Sequence, residues 1–258
     1  MGKTWTVGSS TADFLTLTSA EANVDSGDAL ILMPGALYED VILRPDISLF
    51  SYGGTTIFGK CSVVASGEVK ATNINFITQG DFALDLSGSN SPQFNLTNCS
   101  IVALDHTAIN LSASGALAAL TAMGCIVSIA TPGYTFYDMS GGNNIHFMNC
   151  FLNNNGSTAA SNNSCGNALI EYSTSFGSFS NTGSGSFGAF NCNIDTSGIP
   201  TTPIYMTGTG ANVISNCYVG AGSVVCYYVT PGKTLTVAKT YSNTSNVIYT
   251  GGGTVNIV

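Results

Sequence analysis

Charged residues are scarce in this sequence. Only 8% of its 258 residues are Asp, Glu, Lys or Arg, whereas a typical soluble domain has about 25%. The 6 Lys and Arg are outnumbered by 14 Asp and Glu, which gives a formal net charge of −8, and residues 71–232 contain no Lys or Arg. Cations are needed to neutralise a phosphate backbone or an anionic lipid surface, so we expect no nucleic-acid partner and no binding to anionic membranes.

Long apolar runs are also missing. No stretch of 18 consecutive apolar residues occurs, which predicts that nothing inserts into a membrane. The chain opens Met-Gly-Lys-Thr-Trp-Thr, without an apolar stretch of signal-peptide length, so we expect no classical signal peptide.

What the sequence does contain is a repeat. Short Asn-Cys motifs recur along the chain, and the residue after the Asn position forms a series with steps of 25, 26, 25, 25, 17, 25 and 25 residues. The members of this series are Ile74, Cys99, Cys125, Cys150, Ser175, Cys192, Cys217 and Ser242. A second motif recurs at Leu84–Leu86, Ile109–Leu111 and Tyr137–Met139, with steps of 25 and 28. Two separate motifs therefore keep nearly the same period.

The repeated unit is built from strands and turns. Apolar and polar residues alternate in short segments, and clusters of Asn, Gly and Ser separate them. A unit of this length is too long for a hexapeptide helix and too short for a propeller blade of about 40 residues. It suits one coil of a right-handed parallel β-helix, in which coils stack about 4.8 Å apart. The sequence thus predicts an all-β, single-domain solenoid of about nine coils over residues 28–258.

Residues 1–27 are predicted to form an N-terminal strand and a capping helix. Ser10 or Thr11 can cap a short amphipathic helix over about residues 12–24, with Asp13 in its first turn, where a negative charge favours the helix dipole.

The segment after this helix carries a family resemblance. Gly27-Asp28-Ala29-Leu30-Ile31-Leu32-Met33-Pro34-Gly35 leads into Tyr38-Glu39-Asp40-Val41, and Thr55-Thr56-Ile57-Phe58-Gly59 follows. This succession resembles the opening of the pectin lyase-like superfamily, most of all its pectin methylesterase branch. The resemblance implies a right-handed β-helix whose first coil is plugged by the helix. The catalytic motifs of the superfamily's esterases, lyases and polygalacturonases are absent from the sequence, so the resemblance transfers a fold without catalytic residues.

Two side-chain ladders are expected along the coils. Stacked Asn side chains at a turn can hydrogen-bond one another and tolerate a left-handed backbone. Neighbouring Cys residues are interpreted as a buried packing stack. Metal binding is the alternative for these thiols, but no Cys-x-x-Cys occurs and His106 and His146 are isolated in sequence, so we predict no metal and no cofactor. The Asn ladder comprises Asn73, Asn98, Asn149, Asn191 and Asn216, interrupted at Gly124 and Thr174; the Cys ladder comprises Cys99, Cys125, Cys150, Cys192 and Cys217.

The stacking distance alone would permit disulfides between neighbouring Cys residues. A regular ladder without a signal peptide nevertheless favours reduced thiols.

The catalytic candidates are two carboxylates. Asp85, Asn110 and Asp138 occupy one outward position in three coils, which places Asp85 and Asp138 about 9–10 Å apart. That separation is close to the upper limit for an inverting glycosidase pair, about 6.5–9.5 Å. The alternative interpretation is that they are solvated side chains on a neutral face.

The surface and the chain end suggest contacts. Aromatic residues between Tyr134 and Tyr228 are too numerous for a narrow interior, and they suit either sugar stacking or subunit contacts. The final segment, Gly251–Val258, is predicted to be an uncapped strand, which a sister subunit, a glycan or another assembly subunit could cover.

Together these features predict a structural or adhesive β-helix protein rather than an enzyme. It would be a subunit of a fibre, spike, virion or other surface assembly, located at a virion or cell-surface appendage. The chain would self-associate as a homo-oligomer, and the analogy of fold favours a trimer. The alternative is a carbohydrate-active enzyme or polysaccharide-binding module that uses the Asp85–Asp138 face.

Overall fold

Each repeat of the sequence folds into short parallel strands that wind around a common axis. The computed structural model describes residues 2–88, 90–114, 118–141, 143–154, 160–163, 166–197, 202–222, 225–242 and 249–258. Strands stack on their counterparts in the next coil and form three long faces, which we call faces 1, 2 and 3 in the order the chain meets them. Faces 1 and 2 form one continuous sheet of 20 strands, and face 3 is a sheet of 10 strands.

The strands of face 1 are β1 (Thr4–Val7), β2 (Ala29–Leu32), the first parts of β5 (Ile47–Phe58) and β7 (Gly67–Thr78), β9 (Pro92–Thr97), β12 (Ala119–Met123), β15 (Asn144–Met148), β18 (Asn167–Glu171), β21 (Phe187–Phe190), β24 (Asn212–Ser215), β27 (Thr234–Ala238) and β30 (Thr254–Ile257). Those of face 2 are β3 (Gly35–Tyr38), the second parts of β5 and β7, β10 (Ser100–Ala103), β13 (Ile126–Ile129), β16 (Phe151–Asn153), β19 (Thr174–Phe176), β22 (Asn193–Asp195), β25 (Tyr218–Gly220) and β28 (Tyr241–Ser242). Those of face 3 are β4 (Val41–Ile42), β6 (Cys61–Ser62), β8 (Leu84–Asp85), β11 (Ile109–Leu111), β14 (Tyr137–Met139), β17 (Ala160–Asn163), β20 (Ser178–Asn181), β23 (Ile204–Met206), β26 (Tyr227–Val229) and β29 (Tyr249–Thr250).

The all-β solenoid predicted from the sequence is confirmed. Ten strands in face 3 correspond to about ten turns, one more than the sequence suggested. Alternation explains the strands: in β10 and β13, Ile101, Ala103, Val127 and Ile129 are buried while their neighbours face outward. One apolar core runs without a break from Val7 to Val237 among the described residues.

The corner between faces 1 and 2 is formed by residues in the left-handed conformation. Five Asn residues there have φ between 51° and 58°, namely Asn73, Asn98, Asn149, Asn191 and Asn216. Gly124 takes the same position with φ +65°, and a Cβ on it would lie 2.6 Å from Oδ1 of Asn98 in the previous coil. Asn and Gly are the residues that adopt this conformation at least cost.

The alignment of the internal repeats, made from the sequence, is wrong in two coils. It placed Thr174 and Ser175 at the corner after Asn149, but the residue with φ +51° is Tyr172, and Thr174 lies in β19 opposite Phe151. At the last corner, Lys239 has φ +45°, so Thr240 occupies the position assigned to Ser242. Neither Tyr nor Lys favours this conformation, which is why the sequence pattern failed at both corners.

The capping helix is shorter than predicted. Helix α1 spans Leu17–Glu21, with Thr16 as its N-cap. The helix does not start near Ser10 because the Asp13 carboxylate accepts hydrogen bonds from the backbone N–H and hydroxyl of Thr6. These bonds hold the preceding loop beside β1 and lower the pKa of Asp13. Asp13 is therefore not part of a first helical turn.

The first complete coil holds α1 over the end of the core. The Glu39 carboxylate accepts from the backbone N–H groups of Leu17 and Thr18 at 2.6 and 2.8 Å, so it satisfies donors that the helix itself leaves unpaired. The helix residues Leu17 and Ala20 are buried against the core. Within the described ranges, no helix is long and apolar enough to cross a membrane.

Candidate functional site

The predicted acidic column lies on the outer side of face 3. Asn110 pairs in register with Asp85 in one direction and with Asp138 in the other. Its Nδ2 donates to Oδ1 of Asp85 across 2.9 Å. Asp85 and Asn110 are half-buried and Asp138 is exposed. The structure therefore brings the three candidates into one column, with an amide between the two carboxylates.

A cation from the previous coil lies beside this column. Residues 71–232 contain no Lys or Arg, yet Lys60 comes from the previous coil and its Nζ lies 2.8 Å from Oδ2 of Asp81. The hydrogen bond to Asp81 raises the pKa of Lys60, and the negative charges of Asp85 and Asp40 contribute to that rise. Residues about one repeat apart are neighbours in a solenoid, so the period could have revealed this pair.

The Asp81 carboxyl is held in its ionised form. Burial opposes ionisation of Asp81, but hydrogen bonds from Lys60 and from the Phe82 N–H, together with the Lys60 charge, lower the pKa of Asp81. A carboxylate with a lowered pKa cannot act as a general acid near neutral pH.

Aromatic side chains form a second column next to the acidic one. The His106 ring lies edge-on to Phe82, with centroids 4.4 Å apart, and is stacked on Tyr134 at 5.7 Å. All three rings are half-buried. The Asp105 carboxylate beside His106 accepts from the backbone N–H of Gly80, which anchors the turn to the previous coil. Half-exposed rings beside amide and carboxylate groups can stack on a sugar and hydrogen-bond its hydroxyls.

The electrostatics of this surface disfavour acidic sugars. Lys60 is already paired with Asp81, while Asp40, Asp85 and Asp138 add negative charge to the same side of the solenoid. A uronate carboxylate brought here would face like charges. The geometry therefore suits a neutral sugar.

His146 lies apart from this region, on the outer side of face 1. Its Nε2 is 2.9 Å from Oε2 of Glu171 in the next coil. In the part of the chain that the structure describes, no group of three or more His, Cys, Asp or Glu side chains could hold a metal ion.

The Cys ladder is buried next to the Asn corner, and its thiols hydrogen-bond. Each sulfur donates to the carbonyl two residues earlier, as Cys99 does to Thr97 and Cys192 to Phe190. The sulfurs of Cys125 and Cys217 accept the backbone N–H of Cys99 and Cys192 at 3.4 and 3.3 Å. The ladder thus contributes polar contacts as well as apolar packing.

Ser173 and Thr240 complete the same ladder. Ser173 Oγ accepts from the Cys150 N–H and donates to the Glu171 carbonyl. Thr240 Oγ1 takes the equivalent position after Cys217. The alignment of the internal repeats assigned these two ladder positions to Ser175 and Ser242 instead. Of the remaining cysteines, Cys61 and Cys226 are buried and form no disulfide within the described residues, and Cys165 lies outside those residues.

Two solved structures share this fold. A pectin methylesterase from Aspergillus niger matches with a TM-score of 0.53 and 13% identity, over 95% of this chain and 89% of that one. The pectin methylesterase from carrot matches with a TM-score of 0.55 and 9% identity, over 98% and 87%. The expected pectin lyase-like right-handed β-helix is confirmed, and at these identities the likeness shows the fold alone. No family model and no curated protein sequence matches the chain.

Proposed function

We propose that this chain is a non-enzymatic structural or adhesive rod that self-associates as a homo-oligomer. It would serve as a subunit of a fibre, spike, virion or other surface assembly. The observation that carries the proposal is the outer surface, which is poor in charge and rich in apolar side chains. The exposed large apolar residues of the described part are Leu15, Tyr38, Ile42, Phe50, Tyr52, Phe58, Leu104, Met123, Ile126, Phe151, Tyr172, Phe176, Tyr241, Ile257 and Val258.

These side chains favour an assembly subunit because solitary soluble proteins rarely leave large contiguous apolar patches in water. The interior supports the same role. A continuous core and a hydrogen-bonded corner ladder make each coil depend on its neighbours, which favours a stiff shaft. Parallel rods associate by cyclic symmetry, and a trimer is the expected form by analogy of fold.

The test is the solution mass of the purified chain by light scattering, over a hundredfold range of concentration. We expect a stable multiple of the chain mass, three for a trimer. A single-chain mass at every concentration would overturn the proposal.

A second function, the binding or processing of a neutral glycan, is favoured by the Phe82–His106–Tyr134 column beside Asp85 and Asn110. The fold is shared with proteins named pectin methylesterases, which supports a carbohydrate ligand. A glycan array and a hydrolysis panel test this alternative. Retention or cleavage of a neutral glycan that is lost on replacement of Phe82 by Ala would favour it over the structural role.

A further inference from the structure

The outer side of face 2 is rich in apolar side chains. Seven of the fifteen exposed large apolar residues point outward from this face, and half-buried apolar residues lie among them, although β22 presents only Asn193 and Asp195 outward. We call these apolar residues the apolar strip. It comprises Tyr38, Phe58, Ile77, Val102, Leu104, Ile126, Phe151, Phe176, Tyr218 and Tyr241.

Members of the strip stack in register in separate groups: Tyr38 to Val102, Ile126 with Phe151, and Tyr218 with Tyr241. Phe58 pairs across the strands with Ile77, Val102 pairs with Ile77 on the other side, and Phe151 pairs with Ile126. Rings reinforce these pairs: Tyr38 is stacked on Phe58 with centroids 4.9 Å apart and planes 7° apart. Polar residues share the face between these groups: Val102 pairs with Ser128, and Thr174 and Asn193 follow Phe151 in the register before Tyr218.

The centre of the strip has the form of a contact hot spot. Ile126 is 48% exposed and Phe151 is 39% exposed, and each is the first residue of a regular strand, β13 and β16. The Phe176 ring meets the Phe151 ring edge-on, with centroids 5.6 Å apart. Clustered, partly exposed aromatic residues near the middle of a surface are the usual anchors of protein interfaces.

Face 2 is also the least charged face. Asp195 is the one charged residue in its described strands, whereas face 1 carries Glu68, Lys70 and Glu171, and face 3 carries Asp85 and Asp138. Each copy of the chain has a net charge of −8, so copies repel one another in most orientations. Contact through face 2 brings together the fewest like charges.

The outer side of face 2, with the apolar strip and the polar residues between its groups, is large enough for an interface. Ten turns at about 4.8 Å give a length of roughly 45–50 Å, and three strand residues with the flanking corner give a width of about 15 Å. The flat footprint is therefore about 700 Å², close to the roughly 800 Å² that each partner buries in a standard interface.

We propose that further copies of this chain dock on the apolar strip, with face 2 of each rod turned toward the common symmetry axis of the oligomer. This proposal rests on the proposed self-association and adds the surface that mediates it. Ile126, Phe151 and Phe176 form the centre of the contact.

The experiment compares the light-scattering mass of the wild type with that of the Ile126→Asp/Phe151→Asp double variant. Both side chains point outward, so charges placed there interrupt the strip without entering the core. We expect the double variant to need at least 100-fold higher concentration to associate. Val213→Asp is the matched control, since Val213 is a half-buried outward residue of β24 on face 1, and we expect it to keep the wild-type mass.

The outcomes separate the two proposals. A monomeric wild type overturns both. An oligomeric wild type with an equally oligomeric, folded double variant overturns the strip and leaves the proposed function standing. If the Asp variant fails to fold, the Ile126→Ser/Phe151→Ser variant supplies the same comparison. Unchanged mass with loss of a glycan signal would identify the strip as a sugar platform and contradict the proposal.

Discussion

The backbone N–H of Cys150 donates to the hydroxyl of Ser173 in the next coil, across 3.0 Å. Elsewhere on the same ladder the acceptor is a cysteine sulfur, as in the pair Cys192 and Cys217. A buried serine and a buried cysteine therefore perform the same task at this corner, accepting one N–H and donating to one carbonyl.

Replacing Ser173 by Ala removes this acceptor. The Cys150 N–H then stays buried without its partner, which costs about 1–3 kcal/mol of folding free energy. We expect Ser173→Cys to restore most of the loss. Urea unfolding measures both variants, with Ser128→Ala on the outer side of face 2 as the control, expected within about 0.5 kcal/mol of wild type. If Ser173→Ala leaves the free energy of unfolding unchanged, the hydrogen bond to Ser173 contributes nothing to stability.

Tyr172 occupies a left-handed position with φ +51° that five other coils give to Asn. Its side chain is 59% exposed, so little packing is lost on replacement. Because Asn adopts this conformation more readily than Tyr, we expect Tyr172→Asn to stabilise the protein by about 0.5–1 kcal/mol. The reverse change, Asn191→Tyr, is expected to destabilise by a similar amount. Thermal unfolding of both variants makes the comparison, and a destabilised Tyr172→Asn would contradict it.

The thiols should be reduced and inaccessible. The seven described cysteines are buried and form no disulfide with one another, and the hydrogen bond with Cys125, together with burial, raises the pKa of Cys150. We expect the native protein to react very slowly with a thiol reagent, and the denatured protein, without reductant, to titrate close to its eight cysteines. Four or fewer thiols would indicate disulfides and an oxidising compartment.

Glu21 makes stability depend on pH. Burial raises the pKa of Glu21 from 4.5 to about 7, against the opposing effects of the Arg44 N–H and charge. The folded state therefore holds this proton more tightly than the unfolded state. Its contribution is fully present below about pH 4.5 and is lost as the pH rises through about 7. The loss amounts to at most about 3.5 kcal/mol, from about 1.4 kcal/mol per pKa unit.

The Glu21→Gln variant isolates this effect because Gln keeps an oxygen for the Arg44 N–H but does not ionise. We expect it to match wild type at pH 4 and to be the more stable protein at pH 8. Asp25→Asn, at an exposed position near the same helix, should leave the wild-type pH profile unchanged. Parallel profiles for Glu21→Gln and wild type would refute the prediction.

Asp85 and Asp138 should be dispensable. Asn110 lies between them, and Lys60 is paired with Asp81. We expect the Asp85→Asn/Asp138→Asn variant to keep the thermal midpoint, the solution mass and any glycan-array signal of the wild type. If a glycan-dependent activity disappears while midpoint and mass are kept, the enzyme interpretation replaces the structural one.

The fold was predictable because each coil of a solenoid repeats the same pattern of residue types, which gives the sequence a period. Asn98 and Asn149 mark the corners directly, since few residue types adopt a left-handed backbone. The prediction failed where that preference was overridden, at Tyr172 and Lys239, because stacking against neighbouring coils holds an unfavourable residue in place. A pattern of residue types cannot display such a tertiary constraint.

The candidate site was predictable only in part. Strand parity placed Asp85, Asn110 and Asp138 in one column, as the register shows. The Lys60–Asp81 pair and the position of His106 between Phe82 and Tyr134 were missed, because they lie in turns whose lengths differ between coils. The start of α1 was misplaced for a related reason, since the Asp13–Thr6 contact is tertiary.

Consecutive left-handed corners from Gly54 to Lys239 are separated by 19, 25, 26, 25, 23, 19, 25 and 23 residues. The corner residues stay stacked above one another, while the number of residues in the rest of the coil varies by several. Length variation is thus confined to the outer turns, where it changes the outline of the rod but not its rise. Duplication or deletion of a whole coil would extend or shorten the rod by about 4.8 Å and leave matching ends to pair. The length of such a rod can therefore change during evolution in steps of one coil, while its cross-section and its side faces stay the same.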